Sequence, residues 1–237
     1  MKTDKFRKYR YKCDMHVHTS PASPCGKVDI ETTVKYYAEL GFSSIVLTNH
    51  FNLDHAFKDF SSKDEAVGFY LEDYHRAVEF GKGYGVSVIL GLEARFPENS
   101  NDYLVYGIDE DDVYRAYDFL SGSYEHFYKG FKNEKNVIVQ AHPFRDKMVV
   151  QSPDMLDGIE VFNLHPNHNG RIGLAAKFAK ENPHFIVTGG TDFHHPDHQG
   201  MCALCSKKNL KTSFELASLL KSHDYIFDVW GQKILPY

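Results

Sequence analysis

An α/β fold, with parallel strands closing into a barrel, is what this sequence predicts, and three observations predict it. Short apolar runs alternate with helical patterns along the chain, the rhythm of βαβ units. Each of seven apolar runs ends in a side chain able to bind metal: His16/His18, His50, Glu93, Asp109, His142, His165 and Asp192/His194. In a barrel of parallel strands all the C-terminal ends meet at one face, where barrel enzymes keep their sites, so seven scattered positions become one cluster. A length of 237 residues suits one such domain and allows a sizeable core.

Taken in order, residues 11–19 alternate as a strand does. Tyr11, Cys13, Met15 and Val17 fall on one face, Asp14, His16 and His18 on the other. Asp29 is placed to cap a helix running to Leu40, with Gly41 as its stop. The run SSIVLTNH (43–50) predicts a second buried strand, and residues 64–84 a helix carrying Tyr70, Tyr74, Ala77 and Val78 at helical spacing. VSVILGLE (86–93) and DYLVYGID (102–109) predict strands three and four, with one or two helices in 110–134. NVIVQAHPF (136–144) is a fifth strand, which Pro143 prevents from continuing centrally. GIEVFNLH (158–165) is a sixth, followed by a helix over 170–182 that ends before Pro183. HFIVTGGTDFHH (184–195) is a seventh, and the tail adds a helix at 212–222 and the extended piece YIFDVW. With no repeat, low-complexity tract or linker, residues 1–237 are expected to form one domain. Its motif-bearing part is about 11–195, and 196–237 completes the barrel.

Composition excludes several classes. A net charge of −5 argues against nucleic-acid binding through a broad basic surface. The basic N-terminal run, with Lys2, Lys5, Arg7, Lys8, Arg10 and Lys12, is expected to be a solvated leader rather than a polyanion-binding arm. No apolar stretch is long enough to span a bilayer, and no apolar signal core follows the basic start. Four cysteines, Cys13, Cys25, Cys202 and Cys205, are too few for a disulfide scaffold, so a reducing cytoplasm is expected. The spacing of Cys202 and Cys205 fits a metal or redox pair, but a second pair is missing.

The ligand types narrow the ion. Period-2 spacing turns both imidazoles of His16 and His18 to one side of a strand. An unpaired carboxylate at the end of an apolar run, as at Glu93, is costly to bury, and a cation removes that cost. Imidazole with carboxylate suits zinc, iron or manganese, whereas calcium and magnesium prefer oxygen. More than four ligands exceeds one tetrahedral zinc, so two or three divalent ions are expected, with Glu93 bridging.

DMHVHT, TNH, AHPFR and GTDFHH together resemble the four motifs of the PHP (polymerase and histidinol phosphatase) superfamily, in order, over about residues 13–195. The resemblance implies a distorted (β/α)7 TIM-like barrel and a di- or trinuclear site that hydrolyses phosphoesters. Position by position it implies that His16, His18, Glu93 and Asp192 hold one ion. His50 and His194 would help hold a second, and Glu93 and His142 a third. Two positions depart from the pattern. Where some members place a further histidine after the first pair, only Cys25 can serve, as a thiolate. Where some end strand four in histidine, the nearest ligand is Asp109.

The activity this implies is attack on phosphorus by a metal-bound hydroxide, with a small-molecule or nucleotide phosphoester as substrate. Arg145 is expected to grip phosphate bidentately. Asn163, His168 and Arg171 are expected on the substrate side, Asp14 behind one of the first imidazoles, and His195 and His198 farther out. The competing readings are a nuclease or phosphodiesterase on nucleic-acid ends, a barrel amidohydrolase, and a metal-binding module without catalysis.

Overall fold

Strand β1 (Tyr11–Val17) starts the sheet system of the computed structural model, which describes residues 5–236. Lys2 of the basic run lies outside the described residues. Helix α1 (Ile30–Glu39) begins where expected, with the Asp29 carboxylate accepting from Thr32 N–H, and ends before Gly41 at φ +72°. The second predicted strand is broken into β2 (Ser44–Leu47) and β3 (His50–Phe51). Helix α2 (Lys63–Tyr84) carries an Ser62 cap and a left-handed Gly85 at its end.

The third predicted strand is likewise broken, into β4 (Ser87–Leu90) and β5 (Leu92–Arg95). Gly91 stands at the break. A Cβ there would lie 2.8 Å from Val46 Cγ1 and 3.0 Å from Thr48 Cγ2, so only glycine lets the neighbouring strand pass so close. Next come β6 (Asp102–Tyr106), α3 (Glu110–Tyr117), α4 (Tyr124–Phe131) and β7 (Val137–Gln140). They are followed by β8 (Gly158–Asn163), α5 (Ile172–Glu181) and β9 (Ile186–Gly190). The tail holds β10 (Cys202–Ser206), α6 (Ser213–Ser222), β11 (Ile226–Val229) and β12 (Gln232–Ile234).

The strands pair as two six-stranded sheets, β12-β11-β10-β1-β2-β4 and β3-β5-β6-β7-β8-β9, and not as one closed ring. Breaking of β2/β3 and β4/β5 carries two strand paths from one sheet into the other. At the opposite side, the end of β1 meets the segment after β9, with His18 N–H donating to Phe193 O at 3.0 Å.

One expected strand direction is corrected and one strand is added. β6 runs antiparallel to both β5 and β7. Only residues 96–101 separate β5 from β6, and a parallel return needs a crossover of a dozen residues or more, so a hairpin is the outcome. The tail adds β10, antiparallel to β1, where no strand was expected. Cys202 and Cys205 lie within it, three residues apart, and their side chains enter different apolar clusters, as strand alternation requires; they are not a ligand pair. No helix among the described residues is long and apolar enough to cross a membrane.

Candidate metal centre

The end of β1, the start of β3, strand β5 and the segments after β7 and β9 bring His16, His18, His50, Glu93, His142, Asp192 and His194 together, with Cys25 beside them. Backbone fit is close. A Cβ at Gly190 would lie 2.5 Å from His16 Cβ, so glycine there allows β9 to press against the first histidine. His142 and Asp192 adopt φ of +31° and +53°. Left-handed backbone at non-glycine residues costs about 1–3 kcal/mol each and clusters at functional sites.

Hydrogen bonds behind His16, in β1, and His18, just after it, turn the same ring nitrogen of each inward. His16 Nδ1 lies 2.9 Å from Glu160 Oε1, and a carboxylate oxygen only accepts, so Nδ1 carries the proton. The other Glu160 oxygen accepts from His142 N–H at 3.0 Å and Asn163 Nδ2 at 2.9 Å. For His18 the chain of donors is longer. The Asp73 carboxylate accepts from Asn49 Nδ2 at 3.0 Å and Thr19 Oγ1 at 2.7 Å. That orients the Asn49 amide, whose oxygen accepts from Thr19 N–H and from the Ser23 hydroxyl at 2.9 Å. With its proton committed, Ser23 Oγ accepts from His50 N–H and from His18 Nδ1, each at 3.0 Å. Both imidazoles therefore turn Nε2 to the interior, with Nδ1 engaged behind.

Those two nitrogens are 3.0 Å apart. His16 Nε2 lies 3.1 Å from Glu93 Oε1 and 3.5 Å from Asp192 Oδ1; His18 Nε2 lies 3.4 Å from Glu93 Oε2 and 3.4 Å from Asp192 Oδ1. Burial alone would favour neutral carboxyls, but the facing imidazoles outweigh it and hold Glu93 and Asp192 well below the usual carboxylate range. Burial works against charge on His16, but Glu160, Asp192 and Glu93 raise its pKa well above the ordinary value, so negative charge converges where a divalent cation would stand. His50 Nδ1 and Glu93 Oε2 approach to 2.7 Å, yet neither has a hydrogen bond of acceptable geometry. Buried acceptors left in this state are costly, and a divalent cation satisfies them. The donor set fits such ions: His16, His18 and Glu93 can hold one, His18, His50 and His194 another, and His50, Glu93 and Asp102 another.

Cys25 Sγ lies 3.1 Å from His194 Nε2, while His194 Nδ1 is 2.8 Å from Asp192 O. Burial pushes the Cys25 thiol up, but hydrogen bonds to His194 and His50 bring it down to about 6, which makes a thiolate available at neutral pH.

The other predicted residues divide. Arg145 lines the cavity of about 340 Å³ above the cluster, with Nη2 bonded to Asp192 Oδ2 at 2.5 Å and Asn163 Oδ1 at 2.9 Å. Asn163 is buried beneath it, bridging Arg145, Glu160 and Asp192. His165, His168 and His195 line the same cavity, whereas Arg171 lies beyond it, bonded to Phe144 O and the Asp146 carboxylate. Asp14 touches no imidazole. It accepts from His16 N–H, from Thr191 N–H and Oγ1, and from Tyr37 OH, tying β1 to the turn after β9.

Asp109 is the one predicted ligand that the structure places apart from the cluster. Because β6 is antiparallel, its C-terminal end points away from the cluster, and Asp109 is exposed, capping α3 in a reciprocal capping box with Asp112. The first residue of that strand, Asp102, takes the expected place, with Oδ2 3.7 Å from His142 Nε2. Asp109→Ala should therefore cost about 0.5–2 kcal/mol of stability and leave metal content untouched. Chemical denaturation beside elemental analysis checks both, and loss of an ion would restore Asp109 to the site.

Comparison with known proteins follows this geometry. The family model described as the PHP domain matches residues 14–186. No curated protein matches the sequence. Among solved structures, a two-domain Bacteroides vulgatus protein containing a predicted PHP-like metal-dependent phosphoesterase superposes with a TM-score of 0.63 at 17% identity. The match covers 92% of this chain and 64% of that one, so this chain spans under two thirds of that relative. PsfC from Pseudomonas syringae gives 0.62 at 15% identity, over 85% of each chain. A Bifidobacterium adolescentis protein, provisionally described as a metal-dependent phosphoesterase, gives 0.55 at 16%, over 88% of this chain and 95% of its own. At these identities the likeness is one of fold.

Proposed function

The chain belongs to the PHP-domain family, and from that premise we propose that it is a metal-dependent phosphoesterase acting on a phosphate ester of a small molecule or nucleotide. The observation that carries this reading is the convergence of His16 Nε2, His18 Nε2, Glu93 and Asp192 Oδ1, with both imidazole protons engaged outward. We take residues 1–237 as one domain and the two sheets as halves of a distorted barrel, a reading supported by the broken strand paths and the Val17–Phe193 bridge. The four free thiols suit the reducing cytoplasm.

We assign a first ion to His16, His18, Glu93 and Asp192, and a second to His50 and His194 with the Cys25 thiolate, with Glu93 bridging the two through its approach to His50. A third would need His142, Glu93 and Asp102. Both Asp102 oxygens, however, accept from Arg95, each at 2.8 Å. The Arg95 guanidinium thus stands as the positive charge on that side, which favours two ions. Imidazole, carboxylate and thiolate together suit zinc or iron, with manganese the alternative if Cys25 stays outside the shell.

When bound, divalent ions lower the pKa of coordinated water and neutralise charge on the phosphoryl oxygens. The chain's own groups do the positioning. Glu93 and Asp192 hold negative charge at the centre, Glu160 and Ser23 keep the first two imidazoles turned inward, and Arg145 offers its free N–H groups to a phosphoryl oxygen. Its Nε is buried without a partner, the state of a donor awaiting an anion. Asn163 holds Arg145 in place, and His168 and Arg171 meet the rest of the substrate.

Elemental analysis together with phosphate release from a generic phosphomonoester, in zinc or manganese, tests this. The protein should carry roughly two ions, and His16→Ala should lose one of them and the activity. Metal-free protein, or a His16→Ala variant as active as the parent, would sink the reading. In the same assay Cys25→Ser should lose the second ion; an unchanged count assigns Cys25 to packing.

A further inference from the structure

A second cavity, of about 570 Å³, adjoins the metal cavity and shares His165 and His168 with it. Its other wall carries Leu164, Ile172, Met201 and Trp230. Trp230 is the only tryptophan in the chain, and 74% of it is exposed. It stands at the tip of the β11–β12 hairpin, where Val229 pairs with Gln232 and Trp230 and Gly231 form the two-residue turn, at φ +50° and +81°. Such a turn needs left-handed backbone at both positions and favours Asn-Gly. A bulky aromatic residue is among the poorest choices for the first. Its N–H donates to Met201 O at 3.1 Å, which fixes the tip against the cavity. Neither packing nor backbone preference explains this side chain, and an outlier of this kind at a cavity rim points to function.

We propose that this cavity is the leaving-group subsite of the phosphoester and that it selects a planar ring stacked on Trp230. The assignment rests on the phosphoesterase reading. With the phosphoryl group over Glu93, Asp192 and Arg145, the ester substituent leads past His165 and His168 into the second cavity. There an indole face and flanking apolar side chains meet it. Aromatic stacking is tolerant of ring identity, so the class is a nucleoside or other heteroaromatic alcohol rather than one compound.

Two measurements test it. Trp230 fluorescence should be quenched by adenosine and adenosine monophosphate and not by ribose 5-phosphate. Trp230→Asn should raise the KM for adenosine monophosphate about tenfold relative to that for ribose 5-phosphate. It should also leave the thermal midpoint unchanged or higher, because Asn suits the turn. A structural Trp230 would instead lower the midpoint and leave the KM ratio alone. Unquenched fluorescence at saturating nucleotide, or an unmoved KM ratio in an active enzyme, overturns the subsite. Quenching by adenosine in a protein that releases phosphate from no ester supports the ring pocket and removes the phosphoesterase reading.

Discussion

Glu93→Ala is expected to lower phosphoester hydrolysis by about a thousandfold or more and to empty the centre of metal. Glu93 Oε1 lies 3.1 Å from His16 Nε2 and 3.2 Å from His142 Nε2; Oε2 lies 2.7 Å from His50 Nδ1 and 3.4 Å from His18 Nε2. No other carboxylate here touches four imidazoles, so one side chain serves both of the ions assigned above. Removing it leaves Asp192 as the main counter-charge for a buried ring of nitrogen ligands. The ions' share of transition-state stabilisation is several kcal/mol, and each 1.36 kcal/mol is a factor of ten in rate, which sets the thousandfold scale. Stability gives an independent readout. Metal at about 100 times its Kd should stabilise the parent by about 2.7 kcal/mol and the variant by little. A Glu93→Ala protein that keeps its ions and stays within tenfold of parental activity would show that the carboxylate does not bridge.

How much of this was legible in the sequence follows from what each residue does. The gathering of His16, His18, His50, Glu93, His142, Asp192 and His194 was readable because each ends an apolar run, and the same polarity repeated at the same place in successive units points to one cluster where a single strand-end histidine would not. Asp109 satisfied the same pattern and lies elsewhere, because strand direction is invisible in the pattern itself. The short 96–101 connection was the available signal: it forbids a parallel return and points to Asp102. Glu160 was missed although GIEVFN places a carboxylate inside an apolar strand, the same signal used for Glu93. It falls mid-strand rather than at the end, so the strand-end pattern does not single it out. The group behind His18 was beyond reach for a different reason. Thr19, Ser23, Asn49 and Asp73 come from a loop, a strand break and a helix, and their hydrogen bonds depend on packing that no local period encodes. The strands β10 and β12 were hidden likewise, since edge strands of three to five residues carry little pattern.

The largest effect expected from a residue outside the central cluster is that of Glu160→Gln, which changes neither size nor shape by much. Both oxygens of Glu160 accept: Oε1 from His16 Nδ1 at 2.9 Å, Oε2 from His142 N–H and Asn163 Nδ2. A glutamine must put its NH2 group at one of these places. Set beside His142 and Asn163, it faces two donors and leaves them unpaired, which costs about 1–3 kcal/mol for each buried group. Turned the other way, it donates to His16 Nδ1 and drives the imidazole proton to Nε2, the atom 3.0 Å from His18 Nε2 and 3.1 Å from Glu93. That nitrogen then cannot bind an ion. Loss of a partner behind a metal-binding histidine typically lowers affinity 10–100-fold, and the same range is expected here. Activity should fall with it at limiting metal and largely return at saturating metal, because Glu160 is buried behind His16 and does not line the cavity above the cluster. If kcat stayed depressed at saturating metal while the metal Kd was unchanged, Glu160 would act on the substrate side through Asn163 and Arg145, and not by setting the His16 tautomer.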